Sequence, residues 1–235
     1  MFPLRDRPRA RRFPIVNWML IGICVLVFLL ENALEMSLGQ AQFQVLLTKF
    51  GVVPALISFS RPASFLTLFS SMFLHGSWFH LISNMWILYI FGDNVEERLG
   101  SLKYLGFYLV SGVVAGLTQV VFASGSIYPT VGASGAIAGV LGAYLVSFPR
   151  ARVLALVPLF IVPWFVEIPA VFFLGLWFLS QLPSALLSLG AMGAFGGIAW
   201  WAHIGGFVFG ALVVRLLARP RAPTVRGYWD DNRGW

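Results

Sequence analysis

The sequence predicts an all-α membrane protein of six transmembrane helices with a long interfacial first outer loop. Three observations carry that prediction. Hydrophobic residues make up 59% of the 235-residue chain and charged residues only 11%, against roughly one quarter charged in a soluble domain. The apolar residues fall in separate runs of membrane-crossing character. The basic residues lie almost entirely outside those runs, so the net charge of +7 describes membrane orientation and not a nucleic-acid-binding face.

Residues 15–34, 78–91, 104–122, 134–148, 168–187 and 196–217 are the six apolar segments. Arg5, Arg7, Arg9, Arg11 and Arg12 precede the first, and Arg215, Arg219, Arg221, Arg226 and Arg233 follow the last or close it. Six spans put both tails on one side, together with Arg98, Lys103, Arg150 and Arg152, leaving Lys49 and Arg61 outside. That is the positive-inside pattern. The chain divides into a basic N-terminal segment (1–14), the membrane domain (15–217) and a basic, disordered tail (218–235). A signal peptide is the competing reading of the N-terminus, but no small-x-small cleavage pattern follows its apolar run, which favours an uncleaved first span. The single Cys24 excludes an internal disulfide.

Residues 153–166 are apolar but interrupted by Pro158 and Pro163 and end at Glu167. A seventh span there would reverse everything after it, so the stretch reads as an interfacial or re-entrant excursion on the inner side. The first outer loop, residues 35–77, has apolar stretches at 43–57 and 65–74 and is expected to lie in the membrane interface.

Polar side chains within the spans are the place to look for function, because hydrocarbon penalises them unless they are paired. His75, His80 and His203, all the histidines of the chain, sit in or beside spans. Ser134 stands at the mouth of the fourth helix in Gly132-Ala133-Ser134-Gly135, where free N–H groups and the helix dipole favour a developing oxyanion. The alternative is an N-cap serine on a helix that packs through Gly135 and Gly139. For His203 the alternative is a structural hydrogen bond to a neighbouring carbonyl.

Depth separates these readings. The fourth span has 15 residues and extends about 22 Å, against about 30 Å of hydrocarbon, so Ser134 lies roughly 8 Å below the outer surface. His203 is seven residues into its span, roughly 10 Å down, within reach of Ser134. A serine beside an imidazole is the usual arrangement for a nucleophile that attacks a carbonyl. His80 and Asn84, spaced i, i+4, share one helix face and supply two neutral donors suited to an oxyanion. A metal held by His75, His80 and His203 is the weaker alternative, since no carboxylate joins them at that depth.

Four segments then occur in sequence: His75-Gly76-Ser77-Trp78-Phe79-His80-Leu81-Ile82-Ser83-Asn84, Gly92-Asp93-Asn94-Val95-Glu96-Glu97-Arg98-Leu99-Gly100, Gly132-Ala133-Ser134-Gly135-Ala136 and Ala202-His203-Ile204-Gly205-Gly206-Phe207-Val208-Phe209-Gly210. In identity and order they resemble the rhomboid family of intramembrane serine proteases, over about residues 15–217. The resemblance implies a rhomboid-like bundle with Ser134 as nucleophile and His203 as general base. It implies an oxyanion hole of His80, Asn84 and the Ser134 backbone N–H. It also implies structural roles for Glu96 and Arg98, and packing of the sixth helix on the fourth through Gly206 and Gly210. Two departures stand out. The Trp-Arg pair of many members is missing near Phe65, Leu66 and Thr67, and Ala138 occupies the place where some members stack an aromatic ring on the histidine.

The expected activity is cleavage of single-span membrane proteins, with small residues at the cut and helix breakers nearby. Residues 123–131 would line a wet cavity, and the glycine-rich stretch 183–197 would be a flexible cap over it. Expected partners are transmembrane protein substrates and the lipid bilayer, with no nucleic acid, cofactor or metal. Short loops and the Arg-rich start point to a bacterial plasma membrane with both termini cytoplasmic. Two other classes remain at this stage. One is a non-catalytic rhomboid-like protein that binds and escorts membrane helices; the other is a small transporter, which the lack of paired intramembrane charges disfavours.

Overall fold

The computed structural model describes residues 1–159, 162–190 and 199–218. Its elements, in chain order, are β1 (Phe2–Arg7), α1 (Ile15–Leu38), α2 (Gln40–Phe50), α3 (Thr67–Ser70), α4 (Trp78–Leu99), α5 (Ser101–Phe122), α6 (Ser134–Ser147), β2 (Arg152–Leu159), β3 (Val162–Pro169), α7 (Ala170–Gly190) and α8 (Trp200–Leu217). The fold is a helical membrane bundle. Four of its described helices, α1, α5, α7 and α8, are long and apolar enough to cross a bilayer, and the sharply bent pair Pro62–Phe73 and Trp78–Leu99 adds a fifth candidate. With 14 residues, α6 is about 21 Å long and falls short of a full crossing.

The inner end of the bundle is organised by Glu96. Its carboxylate accepts from the backbone N–H groups of Val16 (3.1 Å) and Asn17 (2.8 Å) and from the Ser101 hydroxyl (2.6 Å). It thus supplies acceptors to the first turn of α1, which has no side-chain cap of its own and whose N–H groups would otherwise be orphaned. Asn17 donates to the Leu88 carbonyl (3.0 Å) and accepts from the Tyr104 hydroxyl (2.7 Å). A Cβ on Gly92 would lie 2.0 Å from Asn17 Oδ1, so glycine lets α1 and α4 meet there. Gly100, at φ 84°, turns the chain from α4 into α5. Arg98 lies in the last turn of α4.

The stretch at 153–166 corrects the re-entrant alternative that the sequence allowed beside an interfacial one. It is no re-entrant excursion. It forms the antiparallel pair β2–β3, and β1 adds to β2 to make a three-stranded sheet in the order β1-β2-β3, with Asp6 opposite Val153 and Leu154 opposite Glu167. The physical reason is hydrogen bonding: the ladder satisfies an apolar backbone that a re-entrant turn would leave exposed, and Pro158 and Pro163 face each other near the hairpin end. The sheet is fastened to the helices at two points. The Trp86 indole donates to the Pro3 carbonyl (2.6 Å), and buried Asp6 Oδ2 accepts from Asn94 Nδ2 (2.8 Å) and from the Tyr144 hydroxyl.

Two further expectations are amended. Helix α1 runs to Leu38, one turn beyond its predicted end, and stops at Gly39, at φ 86°. In the expected flexible cap, Pro183 and the residues up to Gly190 belong to α7; residues 191–198, with Gly193, Gly196 and Gly197, lie outside the described residues, as does the tail beyond Ala218.

Candidate active site

The site exists because α6 and α8 approach more closely than side chains normally allow. A Cβ on Gly206 would lie 2.1 Å from the Gly135 carbonyl oxygen, and one on Gly210 would lie 1.9 Å from that of Gly139. From the other side, a Cβ on Gly142 would lie 2.0 Å from the Phe207 carbonyl oxygen. Small residues at these positions bring the helix backbones into contact.

Ser134 opens α6, and His203 lies in the first turn of α8. His203 Nε2 is 2.9 Å from Ser134 Oγ. The N-cap reading of Ser134 does not describe the structure: the cap position is Ala133, with no side-chain cap bond, and the hydroxyl is turned to the imidazole. The bend that presents Ser134 is made at Gly132, at φ 123°, whose N–H donates to the Ser71 carbonyl (2.8 Å). A side chain there would collide with His80, since a Cβ would lie 2.6 Å from the ring atoms Cε1 and Nε2.

His80 and Asn84 project from the first turns of α4, which Ser77 caps by accepting from the His80 N–H (3.2 Å). Together with Ser134, His203, Phe79 and Trp177 they line one cavity of about 600 Å³. The Asn84 side-chain amide nitrogen is buried without a partner among the described residues, a donor free for a ligand oxygen. Pro129 and Val131 from the third outer loop line the same cavity, and Thr130 ties that loop to Val52 through paired backbone hydrogen bonds of 2.7 and 2.9 Å. His75 stands behind the cavity, with its ring 5.2 Å from that of His80 and its backbone N–H donating to the Glu31 carboxylate (3.1 Å). Among the described residues no cluster of three His, Cys, Asp or Glu is placed to hold a metal ion.

Three residues of the site escaped the sequence reading, Gln181 and Trp177 from α7 and Trp200 from the start of α8. Gln181 Oε1 is 2.9 Å from His203 Nδ1. The Trp177 ring lies 5.9 Å from the imidazole, and Trp200 meets it edge-on at 6.1 Å. Ala138, the position without an aromatic, is fully buried and would be 3.4 Å from a Cβ on Gly206; a ring there would push α8 away. A polar amide inside an apolar span at the depth of His203 was the available signal for Gln181.

Chemically, the arrangement offers a hydroxyl paired to an imidazole, donors from a second helix, and a cavity shared by both. The sequence model of the Rhomboid domain matches residues 62–220. Presenilin-associated rhomboid-like protein A, mitochondrial, of Danio rerio is 30% identical over 189 residues, covering 74% of this chain and 45% of that protein. The human presenilin-associated rhomboid-like protein, mitochondrial, is 31% identical over 175 residues, covering 69% and 41%. Rhomboid protein 1, mitochondrial, of Saccharomyces cerevisiae is 29% identical over 151 residues, covering 63% and 40%. The chain therefore matches less than half the length of each of these relatives. They are mitochondrial proteins by name, which overturns the expectation of a bacterial plasma membrane with both termini in the cytoplasm.

Proposed function

Because the chain belongs to the rhomboid family, we propose that it is an intramembrane serine endopeptidase that cleaves transmembrane segments through a Ser134–His203 dyad. The observation that carries the reading is the 2.9 Å contact between Ser134 Oγ and His203 Nε2 in a cavity that also contains His80 and Asn84.

The steps follow from that geometry. His203 Nε2 takes the hydroxyl proton as Ser134 Oγ bonds to the scissile carbonyl carbon. Charge moves to the carbonyl oxygen, where His80, Asn84 and the Ser134 N–H donate to it; one such donor is worth about 10²- to 10³-fold in rate. His203 then gives its proton to the departing amine as the C–N bond breaks, leaving an ester on Ser134. Water, deprotonated by His203, attacks the ester, and the proton returns to Ser134 as the acid product leaves. A helical substrate hides its peptide bonds in its own hydrogen bonds, so segments with helix breakers and small residues near the cut suit the cavity. The relatives' names support a mitochondrial membrane as the setting.

A second reading is a helix-binding, non-catalytic role. It is favoured by one observation: the names of several relatives record an association with presenilin. Purified protein in proteoliposomes with a single-span reporter separates the two. The peptidase releases a cut product that Ser134→Ala does not; intact reporter bound equally by both proteins supports the escort reading.

A further inference from the structure

We propose that Gln181 is the positioning residue of the dyad, holding His203 in the one tautomer and ring orientation that leave Nε2 free to accept the Ser134 proton. The proposal rests on the serine-peptidase reading above.

Gln181 is buried, 5% exposed, and an amide without partners in such surroundings is penalised by about 1–3 kcal/mol per unmade hydrogen bond. Its nitrogen lies 3.1 Å from the Trp177 carbonyl oxygen and 3.1 Å from Ser180 Oγ. The carbonyl oxygen of Trp177 can only accept, so the NH2 group belongs on that side and the amide oxygen faces His203. That oxygen, 2.9 Å from Nδ1, can also only accept. Nδ1 must therefore carry the hydrogen, and in neutral imidazole the lone pair is then on Nε2, 2.9 Å from Ser134 Oγ. Each link follows from the one before, and the chain begins at a backbone carbonyl of α7, which cannot rotate.

The same contacts fix the ring in space. Trp177 sits one turn before Gln181 on α7, with its ring 5.9 Å from the imidazole; Trp200 meets the ring edge-on at an interplanar angle of 84°. Helix α7 thus supplies what Ala138 on α6 cannot. The orienting group is a neutral dipole: it selects the tautomer without adding a negative charge to the cavity.

The test uses full-length protein in proteoliposomes with the single-span reporter, with folding checked by gel filtration and thermal unfolding. Ser134→Ala is assayed first; if it still cleaves, the serine-peptidase reading fails and the proposal falls with it. With that control inactive, Gln181→Leu is expected to lower kcat about tenfold to a hundredfold with KM nearly unchanged, the size of effect a misplaced catalytic group produces. Gln181→Glu preserves the acceptor oxygens and brings a carboxylate to Nδ1. It is expected to retain cleavage, with the acid limb of the kcat profile moved to higher pH because the carboxylate stabilises the imidazolium. Wild-type kcat in Gln181→Leu overturns the proposal and leaves the dyad standing. If Gln181→Leu does not fold, the Gln181→Glu profile decides: a displaced acid limb supports the contact, and an acid limb superimposed on that of the wild type overturns it.

Discussion

A methyl group on Gly206 would stand 2.1 Å from the carbonyl oxygen of Gly135, the residue that follows Ser134. The seryl turn and the histidyl helix are therefore locked together by backbone contact. Gly206→Ala is expected to force α8 off α6, destabilising the protein by about 1–3 kcal/mol or more, and to reduce reporter cleavage as His203 moves from Ser134. Gly22→Ala is the control, since nothing lies within 4 Å of a Cβ there. Thermal unfolding in detergent and the cleavage rate read both effects; a Gly206→Ala protein as stable and active as Gly22→Ala contradicts the packing argument.

Asn84 carries a buried amide nitrogen with no partner among the described residues, on the wall of the cavity that Ser134 enters. A donor waiting for an oxyanion contributes to the transition state and little to the ground state. Asn84→Ala is expected to lower kcat by about 10²- to 10³-fold with KM close to wild type. A loss confined to KM would assign Asn84 to substrate binding.

Glu96 accepts from the backbone N–H groups of Val16 and Asn17 in the first turn of α1 and also holds Ser101. Glu96→Ala leaves these donors unmet, at about 1–3 kcal/mol for a buried one. The expected outcome is a lower melting temperature with cleavage retained below it. Loss of activity at unchanged stability would contradict a purely structural role.

How much of this was legible in the sequence depends on the length scale of the signal. The helices announce themselves by apolar runs. Counting residues down two helices predicts that Ser134 and His203 can meet, but the count itself is amended, because α8 begins at Trp200 and His203 lies in its first turn, not seven residues in. The sheet does not announce itself. β1 and β2 come from positions about 150 residues apart in the chain, and Asp6 meets Asn94 and Tyr144 only once α4 and α6 are assembled. Gln181 was hidden for a related reason: one amide in the apolar segment of α7 has no spacing motif, and its meaning appears only when α7 lies against His203. Ala138 pointed to a missing partner for the histidine, but not to the helix that supplies it.

Asp6 gives a pH dependence with a definite sign. Burial pushes its carboxyl up from the ordinary 3.8 to about 7, opposed by the Tyr144 hydrogen bond, with Asp93 raising it further and Arg9 lowering it. The folded sheet thus favours the protonated acid. Below about 4 the folded and unfolded states are protonated alike; as pH rises towards 7 the unfolded state gives up its proton first and stability falls; above 7 it levels off. Wild type is expected to lose melting temperature from pH 4 to 7 relative to Asp6→Asn, which cannot ionise. A difference between the two proteins that does not vary with pH contradicts this account.

The most direct measurement of the central claim is the site and rate of fluorophosphonate labelling, read by peptide mass spectrometry on protein in proteoliposomes. An activated hydroxyl predicts one adduct, on Ser134, formed at least about a hundredfold more slowly in His203→Ala, in the range expected for loss of a general base. An unlabelled Ser134, or equal labelling with and without His203, would contradict it.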